Sequence, residues 1–530
     1  MTNATAPAAA PDRRSLLRAR SGSRVSVGLG LGLGLGFGLA TAVALYSGAA
    51  HAGGFELPAN GTEALGRGGA FTAKADSPLA LEYNVGGLAQ LRGTRLLFDN
   101  NLYFSEYSFQ RAGGDSFGPY PTVTAQATPP FYAPWFGLTT DFGYFRRWTF
   151  AVGAYGPSSV GTRNFGVFSL TDSGTVRPTP SRYDLEQSNL LIVFPTVAVA
   201  VHVHRVLDLG ISGQQVTSQI NVASATYAPT SIPIFPSSAA CSQQPEVAGC
   251  DTTTRVQVSS YDNFTLQFGA LLHPLRELDI GLHVRSAVNL GMYPIRGKGT
   301  VSASEPPFLR GAQLGADHMN AQFDTWLPWV FRAGVRYAYR KGDFELFDVE
   351  LDGTYEAWSL LDGSDNHLTL LNPPLLVNKG MPLTITIPHG YQDTFSLRLG
   401  GAVNYPTSVG QLTLRLGALY DSSATRDANV RIDFDTLAKI GATIGVGINI
   451  RGVTLNLAYA YLASLQRTVD SGELRAIDGT SGKAVQLGDD LAPAVNNGIY
   501  SGHNHVASIG ITILFDDLVR GHGWLKDHPR

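Results

Sequence analysis

Long apolar runs are missing from most of this chain. After residue 52 no stretch of about 18 apolar residues occurs, which excludes a bundle of membrane-crossing helices. Charge is scarce as well: Asp, Glu, Lys and Arg make up 15% of 530 residues, and the net charge is −3. A near-neutral chain without a basic stripe offers nucleic acid no electrostatic footprint, so no nucleic-acid partner is expected. Gly-x-Ser-x-Gly is absent, and no cysteine pair has metal-ligand spacing. His202/His204 and His503/His505 each place two imidazoles on one side of a strand, but without nearby carboxylates. No catalytic residue, metal or cofactor is therefore expected. Only two cysteines occur, Cys241 and Cys250, in a Pro/Ser/Gln-rich stretch with no histidine between Pro229 and Thr254. In an exported chain such a pair reads as a disulfide closing a small surface loop.

Export is indicated by residues 1–52. Arg13, Arg14, Arg18, Arg20 and Arg24 form a charged start, Val25 to Ala49 an apolar middle, and Ala50-His51-Ala52 a small-x-small cleavage site. This segment is an address to be removed. No Pro/Ser-rich linker divides the remainder.

What the remainder has is alternation. Phe331, Ala333, Val335, Tyr337 and Tyr339 are separated by Arg332, Gly334, Arg336, Ala338 and Arg340. A period of two puts one apolar face opposite a face carrying three arginines. Ile440 to Ile450, Leu278 to Arg285 and Leu412 to Ala418 repeat the pattern, and about fourteen such segments follow one another from Arg92. Tight turns at 144–147, 273–276, 340–343, 406–410 and 451–452 alternate with long connections at 110–130, 160–187, 223–254, 293–319, 360–390, 425–437 and 469–502. Short turns on one side and long loops on the other are the mark of an outer-membrane barrel with both ends in the periplasm. The fold expected is all-β: a transmembrane antiparallel barrel of about 14 strands over 92–515, ending at Phe515. Residues 516–530 follow as a periplasmic tail.

A barrel of this width leaks unless something occupies it. The spare polypeptide is 53–91, rich in small residues and turn formers and without a long amphipathic face. It is expected to form a compact plug in the lumen.

Three blocks in that stretch carry a resemblance. Gly54-Phe55, then Leu65-Gly66-Arg67-Gly68-Gly69-Ala70, then Tyr83-Asn84-Val85-Gly86-Gly87-Leu88 are similar to the N-terminal hatch of the FadL/TodX family of outer-membrane transporters for hydrophobic compounds. Weaker likenesses are Gly153-Ala154-Tyr155-Gly156-Pro157 and Leu327-Pro328. Val85-Gly86 replaces the family's Pro-Ala, which makes that turn less rigid.

The resemblance implies uptake of long-chain fatty acids or aromatic hydrocarbons in the outer membrane of a Gram-negative bacterium. Ligand is gathered on extracellular loops, held in an apolar pocket touching the hatch, and released sideways through a kinked third strand. On this chain the hatch residues against the ligand are Phe55, Leu57, Asn84, Val85 and Gly86. The kink falls on Gly153, Gly156 and Pro157. Candidates for the collecting surface are Tyr227, Ile232, Ile234 and Phe235 in one loop, and Phe308 and Leu309 in another. Arg285, Arg332, Arg336 and Arg415 lie on the polar phase as partners for a ligand carboxylate or as an ion-paired lining. Expected partners are the hydrophobic substrate, outer-membrane lipid and lipopolysaccharide, and the barrel-assembly machinery during biogenesis, with the chain a monomer. A barrel-embedded lipid hydrolase or acyltransferase, and a general porin, remain as alternatives.

Overall fold

Backbone amides and carbonyls in hydrocarbon must pair with one another, and a sheet satisfies them all only by closing on itself. The computed structural model describes residues 59–516 apart from 116, 127–129, 157–161, 171–175, 228–250, 304–318, 362–364, 374–377, 435, 480 and 488–489. Its fourteen wall strands are β1 (Arg95–Arg111), β2 (Thr122–Gln126 and Phe131–Thr140), β3 (Trp148–Tyr155 and Thr162–Asn164), β4 (Gln187–His204) and β5 (Leu207–Tyr227). β6 (Asp251–Leu275), β7 (Leu278–Arg285 and Ile295–Ala303), β8 (Met319–Thr325 and Trp329–Lys341) and β9 (Phe344–Ala357 and Asn366–Leu370) follow. The last are β10 (Leu383–Ile387 and Thr394–Pro406), β11 (Gln411–Asp421), β12 (Lys439–Ile450), β13 (Val453–Val469) and β14 (Gly498–Leu514). Each strand pairs antiparallel with the next, and β14 closes on β1 from Arg95↔Leu514 to Arg111↔Gly498.

The alternation sets the faces as expected. On β12 Ile440, Ile444 and Ile448 are exposed while Thr443, Gly445 and Gly447 are buried. On β8 Val335, Tyr337 and Tyr339 face out and Arg336 faces in. His503 and His505 face outward on β14 beside Tyr459 and Tyr461, with the Tyr459 hydroxyl 2.7 Å from His505 Nδ1. They belong to the interfacial aromatic collar, and no metal-binding group occurs among the described residues.

The long connections depart from expectation. Connections read as loops contain further wall: Thr122–Gln126 of 110–130 pairs with β1, Thr162–Asn164 of 160–187 with β4, Ile295–Ala303 of 293–319 with β6 and β8, and Asn366–Leu370 of 360–390 with β8 and β10. The interruptions fall at one level. Lower pieces run 8 residues in β7, 13 in β8 and β10, and 14 in β9 before breaking. That length is close to the 9–11 residues that cross a bilayer obliquely. The break in β7 is a turn in which Asn289, Leu290 and Gly291 all have positive φ (54, 58 and 75). Local turn chemistry there looks from sequence like the end of the strand.

Residues 59–91 carry two short helices, α1 (Thr62–Gly66) and α2 (Ala80–Tyr83), and a 3-10 turn (Val85–Gln90). Nearly every residue is buried. The segment touches all fourteen staves: β1 and β14 through Thr62, β2 and β8 through Glu82, β3 through Leu91, β6 through Asn84, β9 through Arg67, β11 through Glu63. Gly66 and Gly400 bring it onto β12 and β10, Gly210 and Gly281 onto β5 and β7, and its helical turns onto β4 and β13. The segment is thus packed against every stave of the closed barrel. Contact is backbone to backbone: a Cβ on Gly210 would sit 2.2 Å from the Val85 carbonyl oxygen, and one on Gly417 2.2 Å from the Arg67 carbonyl carbon. This explains part of the demand for 60 glycines.

Ile444→Arg, at the centre of the lipid face of β12, should destabilise the folded barrel in lipid vesicles by about 2–4 kcal/mol, measured by reversible denaturant unfolding. Exposed Lys341, the last residue of β8, should tolerate replacement by Arg within about 0.5 kcal/mol.

Candidate functional site

Period-two geometry puts Asp348, Glu350 and Asp352 of β9 on one inward row, all buried. They hold the plug. Arg67 gives Nη1 to Asp348 at 2.6 Å and Nη2 to Glu350 at 3.0 Å. The other Glu350 oxygen accepts the backbone amides of Ala73 and Lys74 (2.7 and 3.2 Å), and Asp352 those of Phe71 and Thr72 (2.9 and 2.8 Å). Asn84, at the start of the 3-10 turn, donates to the carbonyls of Thr72 (2.9 Å) and Ala270 (3.0 Å) and accepts from the Gly86 amide (3.1 Å). Val85 and Gly86 press on Gly210 and Gly269. These three hatch residues therefore brace the plug against β5 and β6, a role that the close packing permits despite the missing proline.

Toward the outer end the lumen turns apolar. Plug residues Phe71, Leu79, Leu81, Tyr83 and Val85 join wall residues Trp135, Tyr155, Leu190, Ile192 and Phe194 in one buried cluster. It continues through Val258, Ile295, Phe323 and Leu327 to Trp358, Tyr391 and Phe434. Trp135 stacks on Tyr155 at 5.9 Å, and Tyr155 meets Phe194 edge-on at 5.9 Å. Each polar end in this group is satisfied: Trp135 Nε1 donates to Glu82 at 2.8 Å, and Gln214 and Gln267 donate to the Tyr155 hydroxyl at 2.7 and 3.1 Å. The sequence signal for this chamber is Leu190 to Val201, where Thr196 alone interrupts the apolar residues. A strand apolar on both faces has an apolar lumen behind it, and alternation scoring passes over it.

Basic side chains border the chamber. Arg285 lies 5.4 Å from the Phe194 ring centre; Arg332 lies 5.5 Å from that of Tyr83 and donates to the Glu82 carbonyl at 2.6 Å. His283, in register with Arg332, is 2% exposed, and neither ring nitrogen has a hydrogen-bond partner among the described residues. The other two candidate arginines are held internally: Arg336 by Asp279, Glu345 and Asp348, and Arg415 by Glu63 of the plug at 3.1 Å and Asn456 at 3.0 Å.

Three strands border this chamber. Among the described residues β2 pairs with β3 from Trp135↔Tyr155 down to Thr140↔Phe150, and Phe131–Pro134 pair with β1. On its other side β3 faces β4 at Tyr155↔Phe194 and again at Thr162↔Asn189. The two ladders of β3 on β4 are thus out of step by two places. The upper pieces of β2 and β3 approach again. A Cβ on Gly153 would be 2.8 Å from Leu81, and Gly156 lies against the Ile192 carbonyl. Asn60 of the plug donates to the Gly156 carbonyl at 3.2 Å and to Glu82 at 3.3 Å, and accepts from Asn101 at 3.1 Å.

A cap crosses the outer mouth. The described residues between 470 and 497 reach from β13 to the far wall, where Tyr227 exchanges backbone bonds with Ile477 and Gly479, each 2.8 Å. Tyr227 is 5% exposed, packed under this strap with Tyr183, Leu474 and Val495, and so is not part of an exposed collecting surface. Arg431 ties two further connections together through Asp184 (2.8 Å) and Asp433 (3.1 Å), and His389 adds a contact to Asp433 at 2.9 Å. Burial pushes the Asp184 carboxyl up to about 6 against the pull of Arg431, while at Asp433 burial is outweighed by His389 and Arg431, which hold it well below the usual carboxylate range. Phe55, Leu57, Pro157, Ile232, Ile234, Phe235, Phe308, Leu309, Cys241 and Cys250 lie outside the described residues.

A family model described as outer membrane protein transport protein (OMPP1/FadL/TodX) matches residues 43–488. Among solved structures, a Pseudomonas aeruginosa FadL homologue aligns with TM-score 0.64 and 15% identity over 87% of this chain and 100% of its own. The P. putida toluene transporter TodX aligns with TM-score 0.59 and 15% identity (87% and 99%), and the Ralstonia pickettii toluene transporter TbuX with 0.56 and 15% (86% and 99%). At such identity these likenesses speak for the fold. No curated protein matches this chain.

Arg67→Ala leaves Asp348 and Glu350 buried without their guanidinium, at a cost of about 3–5 kcal/mol. The expected result is a folded barrel with a loosened plug: heat-modifiable mobility is retained on gels, and ion conductance in a planar bilayer rises.

Proposed function

The chain belongs to the OMPP1/FadL/TodX family of outer-membrane transport proteins, and from that premise we propose how it passes hydrophobic molecules across the outer membrane. The family is one of transporters, so the hydrolase and acyltransferase alternatives lapse. Molecules enter beneath the cap, settle in the chamber of Trp135, Tyr155 and Phe194, and leave sideways into the membrane through a window that we place between β2 and β3. The observation that carries this reading is that the apolar cluster reaches Trp135 and Tyr155, the last described pair of the β2–β3 ladder, while plug and strap cross the axis below and above.

Energetics favour the side exit. Each methylene returned to water costs about 0.8 kcal/mol, so a ten-carbon chain leaving along the axis would lose about 8 kcal/mol. Leaving into hydrocarbon loses none of it. Tight capture and ready release then become compatible, provided the plug residue bridging to the window, Asn60, can let go of Gly156.

Within the hydrophobic class, the basic border of the chamber supports an amphiphile with a carboxylate, of the long-chain fatty acid kind. Arg285, Arg332 and His283 present N–H donors beside apolar walls, and His283 has no partner of its own among the described residues. Arg336 and Arg415 take no part. TodX, TbuX and a channel named CymD are described as toluene or monoaromatic hydrocarbon proteins. The stacked Trp135–Tyr155 pair supports an aromatic ligand as the second reading. Dodecanoate binding by detergent-solubilised protein should weaken at least about tenfold in Arg285→Gln with Arg332→Gln, the equivalent of about 1.4 kcal/mol. Equal loss of toluene binding would show that the arginines shape the chamber and do not recognise the head group.

Residues 53–91 act as the hatch in this proposal, with Phe55 and Leu57 nearest the ligand. Deleting Gly54–Ala89 should leave a barrel, since no ladder bond depends on the plug, but one that conducts ions and no longer supports uptake. Unchanged conductance would make the strap, not the plug, the seal. Phe55→Ala should weaken ligand binding at unaltered conductance. We also infer that residues 1–52 are removed on export, that 516–530 lie in the periplasm, and that Cys241 and Cys250 form an extracellular disulfide. On intact cells an impermeant thiol reagent should label them only after reduction. Lipopolysaccharide around the wall and the assembly machinery during biogenesis are the further partners of this monomeric reading.

A further inference from the structure

Two neighbouring hairpins repeat one spacing: His202 and Asp208 flank the turn from β4 to β5, and His273 and Asp279 flank the turn from β6 to β7. The barrel sets the four side chains in a row near its periplasmic rim. His202 Nδ1 lies 2.6 Å from Asp208, whose second oxygen lies 3.3 Å from His273 Nε2, and His273 Nδ1 lies 2.6 Å from Asp279. The row does not stop there. The second Asp279 oxygen accepts from Arg336 at 2.8 Å; Arg336 also binds Glu345 and reaches Asp348 at 3.4 Å; Asp348 holds Arg67 of the plug at 2.6 Å. Six adjacent strands are thereby joined, from a partly exposed imidazole to the plug's anchor.

We infer that His273, as an imidazolium, is a positioning residue for the plug: its charge fixes Asp279 and so frees Arg336 to support Asp348 beneath Arg67. The protonation state follows from geometry. Both ring nitrogens face carboxylate oxygens, which only accept, so both carry hydrogen. The charged groups around the ring are Asp208 from β5, with His202 of β4 behind it, and Asp279 from β7, with Arg336 of β8 behind it. Glu345 and Asp348 of β9 stand beyond, Arg340 binds Glu345, and Arg276 of the adjoining turn is engaged with Asp343. Carboxylates outnumber the arginines in the row, and the imidazolium offsets part of the excess.

Loss of that proton leaves a neutral ring with a single N–H, so one of Asp208 and Asp279 loses its donor. An unbalanced Asp279 draws Arg336 toward itself and away from Asp348, and Asp348 loses the guanidinium that holds its carboxylate in place beneath Arg67. Alkaline conditions should therefore loosen the plug from the periplasmic side. This rests on the reading that the plug seals the lumen, which Arg67→Ala tests separately.

The experiment is single-channel recording of the full-length mature protein between about pH 6 and about pH 9 at fixed salt. Brief conducting events should become about tenfold more frequent across that range in the native protein. His273→Gln, with one uncharged donor group, should show the high frequency throughout and no pH dependence. His273→Arg, charged at every pH, should restore the quiet baseline and stay pH-independent, a rescue that loss of packing alone does not predict. Asp208→Asn provides a second variant, expected to move the native pH response to lower values. A native protein without pH response, or a His273→Gln variant that keeps it, overturns the inference. If Arg67→Ala conducts while the native protein is insensitive to pH, the plug reading stands and the imidazolium reading fails.

Discussion

Everything in this molecule depends on β14 finding β1. Until that ladder forms, two rows of backbone donors and acceptors face hydrocarbon with nothing to bind, at several kcal/mol for each unsatisfied group. Closure also decides what the interior must be. A ring of fourteen staves has a lumen wider than its own side chains fill, so the chain threads 59–91 through it and anchors it by hydrogen bonds and ion pairs as well as by apolar packing. The wall's inward glycines and its acidic row on β9 are both answers to that one demand: they let a second backbone approach and then give its amides and Arg67 something to bind.

The lumen is consequently divided by chemistry. Its periplasmic part is ionic, with Arg336, Arg415 and Arg67 each set among carboxylates. Its outer part is apolar and aromatic, and the border between them passes through Glu82, Arg332 and His283. A molecule with one polar end meets a border of its own kind there. Such a division also keeps the ionic part from being diluted by solvent, which preserves its strength in a lumen of low effective dielectric.

Most of the wall was legible from alternation, because a membrane strand repeats every two residues and its periplasmic turns are short. Strands such as Lys439–Ile450 and Val453–Val469 fall within a residue or so of expectation. The upper wall was not legible: Ile295–Ala303 follows a left-handed turn at Asn289–Gly291, and a turn signal reads as an ending. The plug's identity came from three short blocks, but its anchoring did not, since Asp348, Glu350 and Asp352 look like any polar strand face until Arg67 is beside them. Tyr227 illustrates the limit of composition: an aromatic in a loop-like stretch is apolar surface only if nothing covers it, and residues 470–497, far away in the chain, do.

The two ladders that join β3 to β4 have one more consequence. Being out of step by two places, they form a defect of the same kind as an edge dislocation in a crystal: two stretches of lattice, each in register within itself and not with the other. Thermal motion moves such a defect but does not anneal it, because removing it means sliding the whole lower or upper part of β3 by two places. That slide would break the Trp135↔Tyr155 pairing on one side or the Asn164↔Gln187 pairing on the other. The mismatch in this wall is thus protected by register itself, and persists without any hinge to hold it.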